Sequence, residues 1–203
     1  CRLENNYDHT KEQVTHVSLQ HWDVKSMPRW RSQYGKPVIN DECEYEGNIE
    51  HSWGNISARE LVHRFWICVC YGGYSSHGET YEHPDNILWW SKGGCLYGQS
   101  APRISFLRQI LEGMKINGLT PIKGYPSDRI ASGECGNVRL IYFGEHQPRQ
   151  FIYHVSTKGT YCIDVIDTWE MTVKTTRKII QKSVQLELPG KIGIAICIYP
   201  TSE

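Results

Sequence analysis

The residues best suited to chemistry are four carboxylates within KPVINDECEYEG, residues 36–47. They are Asp41, Glu42, Glu44 and Glu46, and they directly follow a short apolar run. Carboxylates can act as nucleophiles, acids or bases, and a buried strand that ends in acidic residues is typical of an active-site rim. The alternative is a solvated acidic loop, because most runs of charged residues lie in solvent.

The sequence also predicts the elements that would position these carboxylates. Val38 and Ile39 are β-branched, as buried strands prefer, so a strand is expected immediately before the acids. Residues 13–20 alternate apolar and polar side chains and predict an earlier strand. Between them, residues 22–34 contain a short helix that begins after Pro28. The order strand, helix, strand is a βαβ unit.

The strongest helix signal lies after the acidic stretch. Ser57 and Glu60 form a capping box, and apolar residues recur at helical spacing from Ala58 onward. The element ends at Gly72 and Gly73. The alternation of strands and helices through this part of the chain predicts an α/β fold.

A polar loop and a further helix follow. The segment YGGYSSHGETY, residues 71–81, predicts a strand of small residues that leads into a loop bearing His77, Glu79 and Tyr81. Another helix is expected over residues 102–112, where apolar residues again share one face.

From residue 117 onward the sequence predicts strands only. Asparagine, glycine and proline residues mark a linker, and helical periodicity does not return. Six short alternating runs follow, at residues 138–143, 150–155, 161–166, 170–175, 183–188 and 192–199. Their number and spacing predict an all-β part, a small antiparallel β-sandwich that begins near residue 116.

Bulk composition argues against several classes of function. The 22 basic and 22 acidic residues cancel, which gives no attraction to nucleic acid or to an anionic membrane. No apolar run approaches the roughly 20 residues of a membrane span. Eight cysteines lack C-x-x-C spacing and lie mostly in apolar runs, so we expect no metal or cofactor, free buried thiols and a cytoplasmic location. Secretion stays open, because the chain begins at Cys1 rather than at a methionine.

Taken together, KPVINDECEYEG, YGGYSSHGETY and ILWWSKGG (residues 87–94) resemble the apiosidase-like glycoside hydrolases, a bacterial group with a (β/α)8 TIM barrel and a C-terminal β-sandwich. The resemblance covers nearly the whole chain. It implies that residues 1–115 carry the last three strands of the barrel and that residues 116–203 form the sandwich. A complete barrel takes about 250 residues, so its N-terminal remainder is the expected partner of this chain.

The resemblance also implies a catalytic role for one carboxylate. Glu42 stands where the family has its nucleophile, at the end of the seventh barrel strand, and Tyr45, Glu46 and Gly47 match the motif that follows. The chemistry that the resemblance implies is hydrolysis of an O-glycosidic bond, in which two carboxyl groups flank the sugar. The general acid/base is expected upstream of Cys1, at the fourth barrel strand, so the chain alone is expected to be inactive.

Residues that bind the carbohydrate substrate are expected around Glu42. His77 matches the family's Gly-x-x-x-His element, and His16 would project from a strand end on the same face. Each histidine has the alternative of a structural hydrogen-bond donor. Glu79 and Tyr81 are candidates for hydrogen bonds to sugar hydroxyls, with a solvated loop as the alternative.

Tryptophans supply the expected stacking faces for sugar rings. The candidates are Trp53, Trp89 and Trp90, whose flat apolar faces suit a pyranose or furanose ring. At least one of the adjacent pair is expected to pack into the core, since neighbouring side chains usually point apart.

Two functions follow from these observations. The first is a retaining glycoside hydrolase, of which this chain is the C-terminal part and Glu42 the nucleophile. The second is a non-catalytic carbohydrate-binding or structural module, which would apply if the chain works without a general acid. The acidic stretch and the family resemblance favour the first.

Overall fold

The computed structural model describes residues 7–82, 95–122 and 130–201. These ranges contain three α-helices, which are α1 (Met27–Tyr34), α2 (Ala58–Cys70) and α3 (Ser100–Gly113). Two short 3-10 helices span Val24–Ser26 and Ser52–Gly54. The strands, in chain order, are β1 (Val17–Gln20), β2 (Val38–Glu42), β3 (Glu46–Gly47), β4 (Tyr74–Ser75), β5 (Glu79–Thr80), β6 (Thr120–Pro121), β7 (Ala131–Cys135), β8 (Val138–Tyr142), β9 (Gln150–His154), β10 (Gly159–Asp167), β11 (Thr172–Ile180), β12 (Ser183–Glu187) and β13 (Ile194–Pro200).

The first part of the chain contains a parallel sheet in the order β1-β2-β4. Val17 lies opposite Val38, and the register shifts between Leu19 and Gln20, so that Gln20 lies opposite Glu42. Strands β3 and β5 form a separate parallel pair in the loops. The carboxyl ends of parallel strands meet at one edge of a sheet, which is where α/β proteins bind their ligands.

Local signals begin and end the helices as predicted. Helix α1 has Pro28 in its first turn and ends at Gly35, which adopts a φ of 61°. Helix α2 follows Ser57, whose hydroxyl accepts a hydrogen bond from the Glu60 amide over 3.2 Å. The Glu60 carboxylate turns instead to Arg64, so one half of the predicted capping box forms. The helix predicted over residues 102–112 is confirmed within α3.

The C-terminal residues form two antiparallel sheets, as the alternating runs predict. One has the order β11-β10-β13-β8-β7-β6, and the other pairs β12 with β9. Central strand β13 is buried on both faces. Ile194, Ile196 and Ile198 pack toward the two-stranded sheet, whereas Ala195 and Cys197 pack toward the helices.

A continuous hydrophobic core joins the parallel sheet to one face of the six-stranded sheet through α2. Trp66 of α2 is fully buried, and its ring centroid lies 5.5 Å from that of Tyr142 on β8. The same core includes Leu19 of β1 and Val38 of β2. Burial of side chains of this size typically contributes about 1.5–3 kcal/mol each, so the packing of α2 fixes the base of the parallel sheet.

Strand β7 was not predicted from the sequence, because most of its residues are small. At Gly133 a Cβ atom would collide with the main-chain carbonyl oxygen of Cys70, at the end of α2. The small residue therefore lets α2 approach the sheet closely, and the segment ASGEC loses the β-branched signature of a strand.

Strand β1 is shorter than its alternating pattern predicts. It begins at Val17, whose amide donates to the carbonyl oxygen of Pro37 over 2.8 Å. Its partner β2 begins at Val38, directly after Pro37. Pro37 has no amide hydrogen, so it cannot donate a further hydrogen bond toward the residues before Val17. His16 therefore lies before the strand rather than at its exit.

The described part of the chain contains no disulfide. All seven cysteines there are free, and five of them are buried. None of the described helices is both long and apolar enough to cross a membrane.

Candidate active site

Glu42 is the last residue of β2, and two neighbouring side chains orient its carboxylate. The Gln20 amide nitrogen Nε2 donates to Glu42 Oε1 over 2.7 Å, and Tyr45 forms a second side-chain hydrogen bond with Glu42. Burial, and then the hydrogen bond to Glu42, raise the pKa of Tyr45, so its hydroxyl keeps its proton and serves as a donor. Glu42 is half-buried, which leaves its carboxylate accessible.

Tyr45 is held by the loop that follows β2. Its amide donates to the carbonyl oxygen of Trp53 over 2.9 Å, and the two rings meet edge to face with centroids 6.1 Å apart. A Cβ atom on Gly78 would lie 2.6 Å from the Tyr45 ring, so glycine at that position lets the ring pass. Trp53 is 42% exposed, and Tyr45 thus connects an exposed aromatic face to Glu42.

Arg64 of α2 fixes the turn that follows Glu42. Its guanidinium donates to the Cys43 carbonyl oxygen over 2.6 Å and to Glu44 Oε2 over 2.8 Å. It also pairs with Glu60 Oε1 over 2.6 Å. Glu44 has a φ of 72°, a strained conformation for a residue with a side chain. The Arg64 contacts hold this turn in place.

Replacing Arg64 by methionine is expected to lower the free energy of unfolding by about 1–3 kcal/mol, since two carboxylates and a carbonyl oxygen lose their charged donor. Arg108→Met is the matched control, because its helical pair with Glu112 is exposed and should have no measurable effect. Urea denaturation of both variants checks this. Equal stability of the two variants would contradict the role given to Arg64.

Asn40 ties the exit of β1 to β2. It is fully buried, and its side-chain amide makes two hydrogen bonds with the main chain of His21, 3.0 Å from the His21 nitrogen to Oδ1 and 2.7 Å from Nδ2 to the His21 oxygen. The His21 amide also lies 3.0 Å from the main-chain oxygen of Glu42. On the same two strands, the Ser18 hydroxyl of β1 donates to the Asp41 carboxylate of β2. These contacts fix the two strand ends side by side.

Glu46 has a different role from Glu42, because its carboxylate receives the N-terminus of α3. It accepts hydrogen bonds from the Tyr81 hydroxyl at 2.7 Å, the Gln99 amide at 2.8 Å and the Ser100 amide at 2.9 Å. The side chain is almost completely buried. Burial alone would raise the pKa of Glu46, but hydrogen bonds led by that from the Ser100 side chain hold the pKa below its ordinary value. Glu46 therefore stays ionised as the cap of α3.

Glu79 is buried beside Glu46 and holds the residues that lead into α3. Its Oε2 accepts from the amides of Tyr97 at 2.8 Å and Gly98 at 2.9 Å. Its Oε1 is buried without a hydrogen bond from the described residues, and it lies 3.9 Å from Nε2 of His77.

His77 reaches the same cluster through the Ser100 hydroxyl, 3.0 Å from its Nε2. The Ser100 amide donates to Glu46, so Ser100 links His77 to the Glu46 carboxylate. Burial lowers the pKa of His77 against the opposing pull of Glu79 and Glu46. The imidazole is therefore neutral at neutral pH.

The structure brings some of the predicted site residues together and separates others. Trp53 is linked to Glu42 through Tyr45, whereas His77, Glu79 and Tyr81 contact the Glu46 cluster. His16 is exposed at the amino end of β1, with its Nδ1 3.0 Å from the Thr15 hydroxyl. The prediction that it projects beside Glu42 is wrong, because Glu42 lies at the carboxyl ends of the parallel strands and His16 lies at the opposite, amino end. Two further candidates, Trp89 and Trp90, lie outside the described residues.

Sequence reasoning assigned no role to the groups that hold Glu42 and the turn after it. Gln20 is adjacent only because the register of β1 shifts by one residue, and Arg64 arrives from a helix 20 residues further along. Tyr45 carried a usable signal, since it stands in the same short motif as Glu42. Among the described residues no group of three histidine, cysteine or acidic side chains is arranged to hold a metal ion.

Similarity to known proteins agrees with this architecture. A family model described as a domain of unknown function (DUF5605) matches residues 128–199, which lie mostly in the antiparallel sheets. No curated protein sequence matches the chain.

Several solved structures share the fold. A protein from Bacteroides vulgatus ATCC 8482, described as a "putative glycoside hydrolase", superposes with a TM-score of 0.83 and 24% identity over 96% of this chain and 43% of its own. A glycoside hydrolase family 5 protein from the same organism gives 0.69 and 12% identity over 97% of this chain and 53% of its own. Another structure, described as a glycoside hydrolase, gives 0.67 and 12% identity over 100% and 51%.

These comparisons define the class of fold. The chain has the fold of a portion of glycoside hydrolases, and it spans about half the length of the solved structures that it matches. The part of the fold that they share includes both the parallel sheet with Glu42 and the antiparallel sheets.

Proposed function

We propose that this chain is the C-terminal part of a retaining glycoside hydrolase and that Glu42 is its nucleophile. The observation that carries the proposal is the Glu42 carboxylate at the carboxyl end of a parallel strand, half-exposed and oriented by Gln20 and Tyr45. Carboxyl ends of parallel strands are where barrel enzymes have their catalytic groups. The shared fold with glycoside hydrolases supports the same class of reaction.

The fold fits the last three units of a (β/α)8 barrel followed by a β-sandwich, with residues 1–115 in the first and 116–203 in the second. In the described part of the chain, β1 and β4 each pair with a neighbour on one side only. Closed barrels leave no such edges. The missing neighbours would be the other barrel strands, which also would carry the general acid. We call this chain together with those strands the complete polypeptide.

In this mechanism the Glu42 carboxylate attacks the anomeric carbon and forms a covalent glycosyl-enzyme, while a second carboxyl group protonates the leaving oxygen. The same group then removes a proton from the water that releases the sugar. A retaining enzyme holds the two carboxyl groups about 5–5.5 Å apart. The second carboxyl group is thus the residue that the rest of the barrel must supply.

Roles in sugar binding follow from exposure. Trp53 stacks one face on the His51 ring, with centroids 5.5 Å apart, and stays partly exposed. We assign its other face to sugar stacking. Trp89 and Trp90 keep that role as candidates from the sequence alone. Tyr81 and Glu79 already bind the cap and the entry of α3, which favours positioning of the loop over direct contact with sugar. His77 acts with them through Ser100.

A panel of aryl glycosides tests the proposal. The complete polypeptide is expected to release the phenol from at least one of them, and NMR should first detect the product in the anomeric configuration of the substrate. The chain alone should give no turnover. Inversion of configuration would contradict the nucleophilic role of Glu42, and binding of oligosaccharides without any turnover would favour a carbohydrate-binding module.

Replacing Tyr45 by phenylalanine should lower kcat about tenfold to a hundredfold, because the carboxylate loses one of the two groups that orient it. Steady-state kinetics of the complete polypeptide measures this. Tyr161→Phe is the control, since its hydroxyl donates to the Thr157 carbonyl oxygen in the antiparallel part. A kcat for Tyr45→Phe equal to that of the control would remove Tyr45 from the site.

A further inference from the structure

A second exposed tryptophan stands beside Glu42, on the β1 side. Trp22 follows the end of β1 by two residues, and 63% of it is exposed. An exposed indole presents a large apolar face that a ligand or a neighbouring surface can cover. Because β1 pairs on one side only, a barrel strand of the complete polypeptide and a substrate are the two candidates to cover this face.

The Trp22 ring is supported on one face by other aromatic rings. It stacks on the imidazole of His21, with centroids 5.8 Å apart and an interplanar angle of 25°. His21 in turn meets the fully buried Trp30 edge to face at 5.2 Å. The imidazole is held by its Nδ1, which accepts from the Asp23 amide over 2.9 Å. One face of Trp22 thus rests on an ordered column, and the other is open.

The backbone fixes the base of this column relative to Glu42. The His21 amide lies 3.0 Å from the Glu42 carbonyl oxygen, and the buried Asn40 side chain brackets the same peptide group. Trp22 therefore directly follows the residue whose main-chain amide hydrogen bonds to Glu42.

Trp22 and Trp53 lie toward different sides of β2. Trp22 follows β1, which flanks β2 on one side. Trp53 contacts Tyr45, whose ring packs against Gly78 in the loop after β4, on the other side. In the strand order, Glu42 at the end of β2 lies between these two sides. A substrate in contact with both tryptophans would extend across the proposed nucleophile.

We propose that Trp22 is a sugar-stacking platform on the β1 side of Glu42 and that the substrate is an oligosaccharide with sugar units on both sides of the scissile bond. The proposal rests on the proposed function. The C–H groups on one face of a pyranose ring match the open face of Trp22, and this apolar contact adds to the hydrogen bonds of the ring hydroxyls.

Binding of trisaccharides of β-linked glucose, xylose and mannose tests this inference without requiring turnover. Calorimetry on the Glu42→Gln complete polypeptide is expected to give binding of at least one of them, weakened about tenfold by Trp22→Ala and largely kept by Trp22→Phe. Tyr7→Ala is the control, because it removes a ring of similar exposure, 61%, ahead of β1, and should leave the Kd unchanged.

The outcomes separate the two proposals. An unchanged Kd in Trp22→Ala, or a loss of thermal stability in place of affinity, overturns the platform. The platform is also overturned if none of the trisaccharides binds. Binding that depends on Trp22, together with no hydrolysis by the unmutated polypeptide, supports the platform and overturns the hydrolase.

Discussion

Replacing Glu42 by glutamine should lower kcat of the complete polypeptide by at least about a thousandfold. Glutamine keeps the shape of the side chain and an oxygen that can accept from Tyr45, but it cannot attack the anomeric carbon. The fold should therefore survive, with an unchanged circular dichroism spectrum. Initial rates on the best aryl glycoside measure the effect.

Glu44→Gln is the matched control for this experiment. Glu44 belongs to the same acidic stretch, but its carboxylate pairs with Arg64. Glutamine keeps an oxygen that can accept from Arg64, so the turn should hold and kcat should stay within about threefold of the original value. With Glu42→Ala, added azide is expected to restore part of the activity, because a small anion can occupy the vacated space and attack the same carbon. Activity retained in Glu42→Gln would exclude Glu42 as the nucleophile.

The second large effect is expected on stability, from Glu46→Gln. The Glu46 carboxylate accepts the Tyr81 hydroxyl and the Gln99 amide on Oε1, and the Ser100 amide on Oε2. Glutamine would turn an NH2 group toward one of these donors. We expect the free energy of unfolding to fall by about 2–4 kcal/mol, since buried donors lose a charged acceptor. Urea denaturation measures it.

This loss should depend on pH in one direction. The folded pKa of Glu46 is lowered, so its contribution is complete above the ordinary glutamate pKa and disappears as the pH falls through the lowered folded value. The difference between the original protein and Glu46→Gln should accordingly shrink in acid. Glu187→Gln, at an exposed position in β12, should change stability little at any pH. A difference that grows as the pH falls would contradict the ionised cap.

The helices of this chain could be predicted because their signals are local. Pro28 and Gly35 bound α1, and Ser57 caps α2, so a few adjacent residues decide each end. The antiparallel strands β8 to β13 also follow from alternation along the chain. Strand β7 could not be predicted in this way, because Gly133 serves the close approach of α2, a contact between distant residues.

Only the part of the candidate site that lies on β2 itself could be predicted from the sequence. Glu42 stands at the end of β2 as its sequence indicates, but Gln20 reaches it through a register shift that no pattern records. The acidic residues around Glu42 differ in burial, which the sequence does not show. Glu46, expected to be one of several acids on a rim, is 2% exposed because the amides of α3 arrive from more than 50 residues away.

The error at His16 has a different origin. His16 lies four residues before the exit at Gln20, so even the predicted strand from Gln13 would place it away from the carboxyl end where Glu42 lies. The actual start at Val17 is set by Pro37 on the neighbouring strand. Trp22, by contrast, lies beyond the true exit of β1, and its exposure emerges only from the folded chain.

The most direct test of the central claim is to trap the covalent intermediate. A 2-deoxy-2-fluoro glycoside with a reactive leaving group slows the release of sugar from a carboxylate nucleophile, so the complete polypeptide should gain the mass of one fluorosugar. Peptide mapping by mass spectrometry is predicted to locate it on Glu42. A label on any other residue, or turnover of glycosides with no trapped intermediate under any condition, would contradict the assignment.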